Sequence, residues 1–388
     1  MPGPDLFCQP RGFRRGAALT LVFAGVLVTG AATGSFPDPG HLGRRTLDAA
    51  RAATRYDDVQ EAAAAAAADG KSPMAAAERA VSHSGNRWDA VYSEGEYQEF
   101  EETLDGEYTG VGLSARRESD GRIEVTEVRS GSPADNAGIH QGDLLRSVDG
   151  ADADGRPVTE VVSLLRGDAQ DAAAGTTVRL GLERGTRAWS TTVRRARLST
   201  DSVTVRRLTG NVTVIKVEAF TKGVGDEIRT AVRQTPAGAG IVLDLRGNSG
   251  GLVTEAVTAA SAFLDGGLVA TYDIDGEQHA LHAPSGGDTT RPLVALVDGG
   301  TMSAAEMLTG ALQDRGRAVV VGSRTFGKGS IQMPTRLPDG SVAELTVGRY
   351  RTPSGHTVDG RGITPDLVSG TQALQRARTV LSGLGDAS

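Results

Sequence analysis

Ser303 and Lys328 are the residues of this chain whose types and settings best suit bond-breaking chemistry. Ser303 lies in Gly300-Thr301-Met302-Ser303-Ala304-Ala305-Glu306, and Lys328 in Thr325-Phe326-Gly327-Lys328-Gly329-Ser330-Ile331-Gln332. A neutral amine can take the proton of a serine hydroxyl, so the pair would make a nucleophile without a histidine. A free lysine titrates near about 10.4, and bringing it to about 7–8 needs roughly 3–5 kcal/mol of bias against the ammonium form. Desolvation is the usual source of such bias. Phe326 and Ile331 offer an apolar wall, and Gln332 offers a group to aim the amine.

Other readings compete. Gly247-Asn248-Ser249-Gly250-Gly251 matches the G-x-S-x-G elbow, with a strand before it and a helix after it. On spacing alone it supports two readings equally. One is a Ser249 nucleophile served by Asp298 and His356; the other is a tight turn whose backbone N–H groups hold an oxyanion. Gly322 to Gly329 falls one residue short of a P-loop and leads into a strand-like stretch, so it does not point to ATP. Ser303 itself also fits a helix N-cap, with Glu306 completing a capping box. His279 and His282 have ligand-like spacing but no third partner, so no metal or other cofactor is expected.

The elements that must position these residues follow from pattern. From Asp201 onward strands and helices alternate: strands at Val212–Val217, Ile241–Leu245, Leu293–Val297 and Ala318–Val321, and helices at Thr221–Gln234, Leu252–Leu264 and Ser303–Asp314. That order predicts an α/β core with a mixed, partly parallel sheet flanked by helices. Gln332 to Tyr350 reads as a hairpin turned at Pro338-Asp339-Gly340. Residues 106–198 instead carry short β-type runs, among them Ile123–Val128, Val178–Leu182 and Ser190–Val193. Ser132 caps a short helix there with Pro133 in its first turn. Tyr108-Thr109-Gly110-Val111-Gly112-Leu113 resembles the carboxylate-binding loop of PDZ domains, so Gly110, Val111, Gly112 and Leu113 are candidates for holding a peptide C-terminus beside an edge strand. Upstream, Thr46 to Glu102 is rich in alanine and charge and predicts helices separated by Gly70, Pro73 and Gly85.

Composition bounds the function. The chain has 388 residues, enough for two or three domains, and its net charge of −7 with no long basic run gives nucleic-acid binding no electrostatic support. The lone Cys8 excludes intrachain disulfides and precedes the apolar stretch, which argues against lipid attachment there. Arg11, Arg14 and Arg15 precede an apolar run from Ala17 to Ala32, the pattern of a signal peptide or membrane anchor. It predicts that everything after Gly34 faces outside the cytoplasm, with the cytoplasmic membrane as a partner if the segment stays uncleaved.

Together these motifs resemble the carboxyl-terminal processing proteases, the tail-specific serine peptidases of family S41. The resemblance runs from Tyr97 to Val368 and rests on Leu164-Leu165-Arg166-Gly167, Asp244 to Gly251, Ser303 to Glu306, Thr325 to Gly329, Gln332, Tyr350 to Gly355 and Gly362 to Asp366. It implies Ser303 as nucleophile, Lys328 as general base and Gln332 as the residue orienting the lysine. It also implies an oxyanion hole from Ala304 and the Gly250-Gly251 turn, and it demotes Ser249. Pattern and resemblance together give the expected organisation: a targeting segment (1–34) and a linker and helical region (35–105), both read from composition and lying largely outside the resemblance, then an inserted β-rich PDZ domain (106–198), an S41-type peptidase core (199–370) and a C-terminal helix or tail (371–388). The implied partners are the C-terminal tails of protein substrates, and the helical region is a place where two copies could pair. Two competing functions remain: an α/β-hydrolase-type esterase using Ser249, and a PDZ adaptor with an inactive core.

Overall fold

A computed structural model describes residues 57–167, 174–274 and 277–385. The targeting segment expected at 1–34 lies outside them, and no helix among the described residues is long and apolar enough to cross a membrane.

The apolar runs Ile241-Val242-Leu243 and Leu293 to Val297 are central strands, and their unbroken hydrophobicity has a simple cause. They belong to a six-stranded sheet in the order Val203–Leu208, Val212–Val217, Gly240–Asp244, Leu293–Val297, Val319–Gly322, Leu367–Val368. The first pair is antiparallel and the rest are parallel. Parallel strands covered on both faces need apolar side chains at every position. Leu293, Ala295 and Val297 face the helices Val224–Gln234, Val253–Ala260 and Ala304–Asp314. Val294 and Leu296 face the opposite way, onto Ala373, Ala377 and Leu381 of the helix Ala373–Gly385. Two helices are shorter than the pattern predicts: Thr221 to Gly223 form a turn before Val224, and the helix after Leu252 ends at Ala260.

A second sheet is antiparallel throughout. It contains Ala90–Tyr92, Val342–Arg351, Gly267–Ile274 and Glu277–Ala283 in that order, with Ser330–Arg336 also paired to Val342–Arg351. The predicted hairpin is present. The strand Ala90–Tyr92 is not legible in the sequence, because three residues are too few to show a period; it pairs Ala90 with Glu344. The polyalanine run is helical over 57–68. Its Ala63 packs with Val59 and Ala77 against Leu337, Ala343 and Leu345 of the hairpin. The helix Pro73–Ser84 ends on Gly85 in the left-handed region, as the breaker pattern predicts.

The β-rich unit enters and leaves through one paired ribbon, Glu107–Gly110 against Ala196–Ser199. Between them lies a sheet in the order Leu113–Arg117, Ile123–Val128, Leu144–Val148, Thr177–Arg184, Arg187–Arg194 with its own core. Ser132 caps the short helix Pro133–Asn136 by accepting the Asp135 N–H. Asp143, buried, accepts two hydrogen bonds from Arg184. His279 and His282 lie on the strand Glu277–Ala283, three positions apart, so the two-residue period of a strand sends them to opposite faces.

Candidate active site

The elbow conformation that G-x-S-x-G predicts for Ser249 is found at Ser303 instead. Ser303 has φ 54° and ψ −119°, between the strand Leu293–Val297 and the helix Ala304–Asp314. Only three described non-glycine residues have positive φ, and Ser249 is not among them. Holding a serine there is costly and requires surrounding structure to fix it. An ordinary N-cap is extended, so capping does not explain this backbone. The other proposed partners of Ser249 are also engaged elsewhere. Asp298 accepts the Gly247 and Gly300 N–H groups at 2.8 and 2.9 Å. His356 is exposed and pairs with Ser354 Oγ at 2.9 Å. No Ser249–His356–Asp298 array is assembled.

Glu306 ties the two motifs together. Its Oε2 accepts the N–H of Ser303 at 3.0 Å and of Lys328 at 2.8 Å. Its Oε1 accepts the Gly327 N–H at 2.7 Å and the Thr325 hydroxyl at 2.5 Å. Burial raises the Glu306 pKa, and these four donors oppose that rise by favouring the carboxylate. The phenol of Tyr350 adds a second clasp, lying 3.0 Å from the Ser303 carbonyl oxygen and 3.3 Å from that of Lys328. Burial holds the Tyr350 pKa well above its ordinary value, so it remains a donor. The sequence shows Glu306 only as a capping residue; its hold on Thr325 to Lys328 is tertiary.

Lys328 is fully buried. Desolvation lowers its pKa from 10.5 to about 8, against the opposing pull of Glu344 and Glu306. Part of the wall is Trp88, whose ring centre lies 4.9 Å from the Lys328 Nζ. Phe326 packs on Trp88 with ring centres 5.7 Å apart and is itself partly exposed, while Ile331 belongs to the core. Phe326 therefore acts through Trp88, a residue no local signal marks. Gln332 is buried, and its Nε2 donates to Ser330 Oγ at 2.8 Å and Thr346 Oγ1 at 3.1 Å. Its Oε1 has no hydrogen-bond partner among the described residues.

The glycine turn lies against the serine. A Cβ on Gly250 would sit 2.9 Å from both the Met302 carbonyl oxygen and the Ser303 Cβ, and 3.2 Å from the Ala304 nitrogen. Asn248 holds the turn: its Oδ1 accepts the Gly250 N–H at 2.8 Å, its Nδ2 donates to Val217 O at 3.0 Å, and its carbonyl accepts the Met302 N–H at 2.8 Å. The Gly250 N–H is thus already engaged. Those of Gly251 and Ala304 have no acceptor among the described residues. Sequence reading missed Asn248, whose type, between two turn glycines, was the available signal.

Of the residues predicted to hold a peptide terminus, Gly110 closes the entry strand and Leu113 opens the edge strand Leu113–Arg117. Val111 is buried, and Gly112, at φ 81°, is backed by Ser132, whose Cβ would lie 2.3 Å from a side chain there. The edge strand has a neighbour on one side only, and the helix Val158–Arg166 runs beside it.

Comparison with known proteins agrees with this architecture. Residues 211–369 match the model of peptidase family S41, and residues 124–183 match that of a PDZ domain. The chain is 32% identical over 313 residues to a probable CtpA-like serine protease of Staphylococcus haemolyticus, covering 76% of this chain and 60% of that protein. It is 34% identical over 291 residues to a protein of the same description from Staphylococcus aureus, covering 72% of this chain and 56% of that one. The chain thus spans less than two thirds of the length of these relatives. Among solved structures it resembles a photosystem II D1 C-terminal processing protease, with TM-score 0.50 and 27% identity over 80% of this chain and 86% of that one.

Proposed function

The chain carries a peptidase domain of family S41 together with a PDZ domain, and from that premise we propose that it is a serine endopeptidase that cuts proteins whose C-terminal tails its PDZ domain holds. One observation carries the reading: a fully buried lysine is clasped, through Glu306 and Tyr350, to the backbone of a serine in a strained elbow.

Neutral Lys328 takes the hydroxyl proton of Ser303 as the Ser303 Oγ bonds to the scissile carbonyl carbon. The oxygen gains negative charge and is held by the Ala304 and Gly251 N–H groups. The C–N bond then breaks, the leaving amine takes the proton from the Lys328 ammonium, and an acyl-enzyme remains. Water, deprotonated by the same lysine, releases the acyl group and restores the serine. Gln332, with its amide nitrogen anchored, presents its Oε1 as an acceptor that aims the amine. Tail capture draws support from the open edge strand and the Gly110–Leu113 loop, where an extended peptide adds as a strand. A location outside the cytoplasm draws support from the cationic and apolar pattern of residues 11–32.

The test uses a fluorophosphonate serine probe and a digest. Ser303→Ala should abolish labelling and cleavage, whereas Ser249→Ala should keep both. Labelling lost only in Ser249→Ala would sink the mechanism, and no labelling of the wild-type protein at any pH would favour a binding adaptor. A model substrate lacking its last few residues should be cut more slowly; equal rates would remove tail capture.

A further inference from the structure

Glu344 is a buried acid that the mechanism above does not use. It lies on the strand Val342–Arg351 and is 1% exposed. Its neighbours across the sheet are Ala90 on one side and Pro334 on the other. Neither side chain can hydrogen-bond, and the Glu344 Oε1 is buried with no hydrogen-bond partner among the described residues. Buried polar atoms in this state are rare and costly, so this one calls for a reason.

Its position supplies one. Side chains two apart on a strand share a face, so Glu344 faces the same way as Thr346. Thr346 is the register partner of Gln332 and accepts its amide hydrogen bond. Glu344 and Gln332 are therefore diagonal neighbours, a separation that two long side chains can span. Both present a buried, unpartnered oxygen. The Lys328 charge lowers the Glu344 pKa, and the Glu344 charge raises that of Lys328.

We propose that Glu344 is a positioning residue for the Ser303–Lys328 reaction: a buried counter-charge that, beside Gln332, stabilises the Lys328 ammonium formed when the lysine takes the serine's proton. The proposal rests on Lys328 being the base. Burial lifts the Glu344 pKa to about 7, with Lys328 pulling the other way, so the acid and the amine change charge in neighbouring ranges of pH. The other ionisable groups around it are Tyr92 and Tyr97, with Glu96, Glu101 and Arg336 acting on those tyrosines. Asp89 is committed to the Thr346 N–H.

The experiment follows the rate of Ser303 phosphonylation by a fluorophosphonate, in which the Ser303 Oγ bonds to phosphorus and fluoride leaves, from pH 6 to pH 10. An anionic neighbour favours the ammonium, so its removal lets the lysine lose its proton at lower pH. Glu344→Gln should move the midpoint of the rise down by about one pH unit. Glu344→Asp, which draws the charge back by one methylene, should move it the same way by less. A purely structural role would lower the rate equally at every pH. A wild-type midpoint in either variant that keeps the native melting temperature overturns the proposal. Lys328→Met separates the two readings. If it is phosphonylated like wild type, the base assignment fails and takes this proposal with it. If it is inactive while the Glu344 midpoints stay fixed, this proposal alone fails.

Discussion

Replacing Lys328 with methionine should abolish acylation and yet stabilise the folded protein at neutral pH. Below pH 8 the native state holds a buried ammonium that the unfolded chain would hold in water. The drop in pKa from 10.5 to about 8 is worth about 3 kcal/mol, at about 1.4 kcal/mol per tenfold change. Between pH 8 and 10.5 the native lysine is neutral while the unfolded one still binds a proton, so wild-type stability rises with pH across that window. Above it the penalty is gone. Methionine fills the same apolar slot beside Trp88 and carries no charge at any pH. The gain at pH 7 should be about 1–3 kcal/mol, the lower figure because Glu344 loses its cationic neighbour. Urea denaturation of both proteins from pH 6.5 to 10.5 reads it. The gap should be widest near pH 7 and close toward pH 10.5. A gap independent of pH, or a less stable variant at pH 7, would refute a desolvated lysine.

Two further outcomes follow from the same geometry. Gly250→Ala places a methyl 2.9 Å from the Met302 carbonyl oxygen and the Ser303 Cβ, and should slow acylation by about 100-fold or more; an unchanged rate would separate that turn from the chemistry. Glu306→Gln puts an amide N–H₂ against donors that now meet a carboxylate; it should cost about 2–4 kcal/mol in denaturant titration and abolish probe labelling, and wild-type stability would show that the clasp is dispensable.

Much of the fold was legible because the forces that build it act locally. Parallel strands buried on both faces are continuous apolar runs, as in Leu293 to Val297. Turn chemistry marked the hairpin at Pro338-Asp339-Gly340 and the helix end at Gly85. The strands Gly267–Ile274 and Glu277–Ala283 escaped notice because the second is largely exposed and carries polar side chains on both faces. Helix starts drifted by a few residues, since capping rather than composition sets them.

The sequence by itself determined the candidates: a serine after a glycine turn, a lysine between glycines, a second serine in a G-x-S-x-G motif and a loop suited to a carboxylate. Only the tertiary structure shows that Ser303, and not Ser249, bears a positive-φ backbone, because such strain is imposed by packing rather than by the residue that bears it. It also supplied Trp88, Glu306 and Glu344 as neighbours of the lysine. Their influence depends on distance and on exclusion of water, and neither is written in the order of residues along the chain.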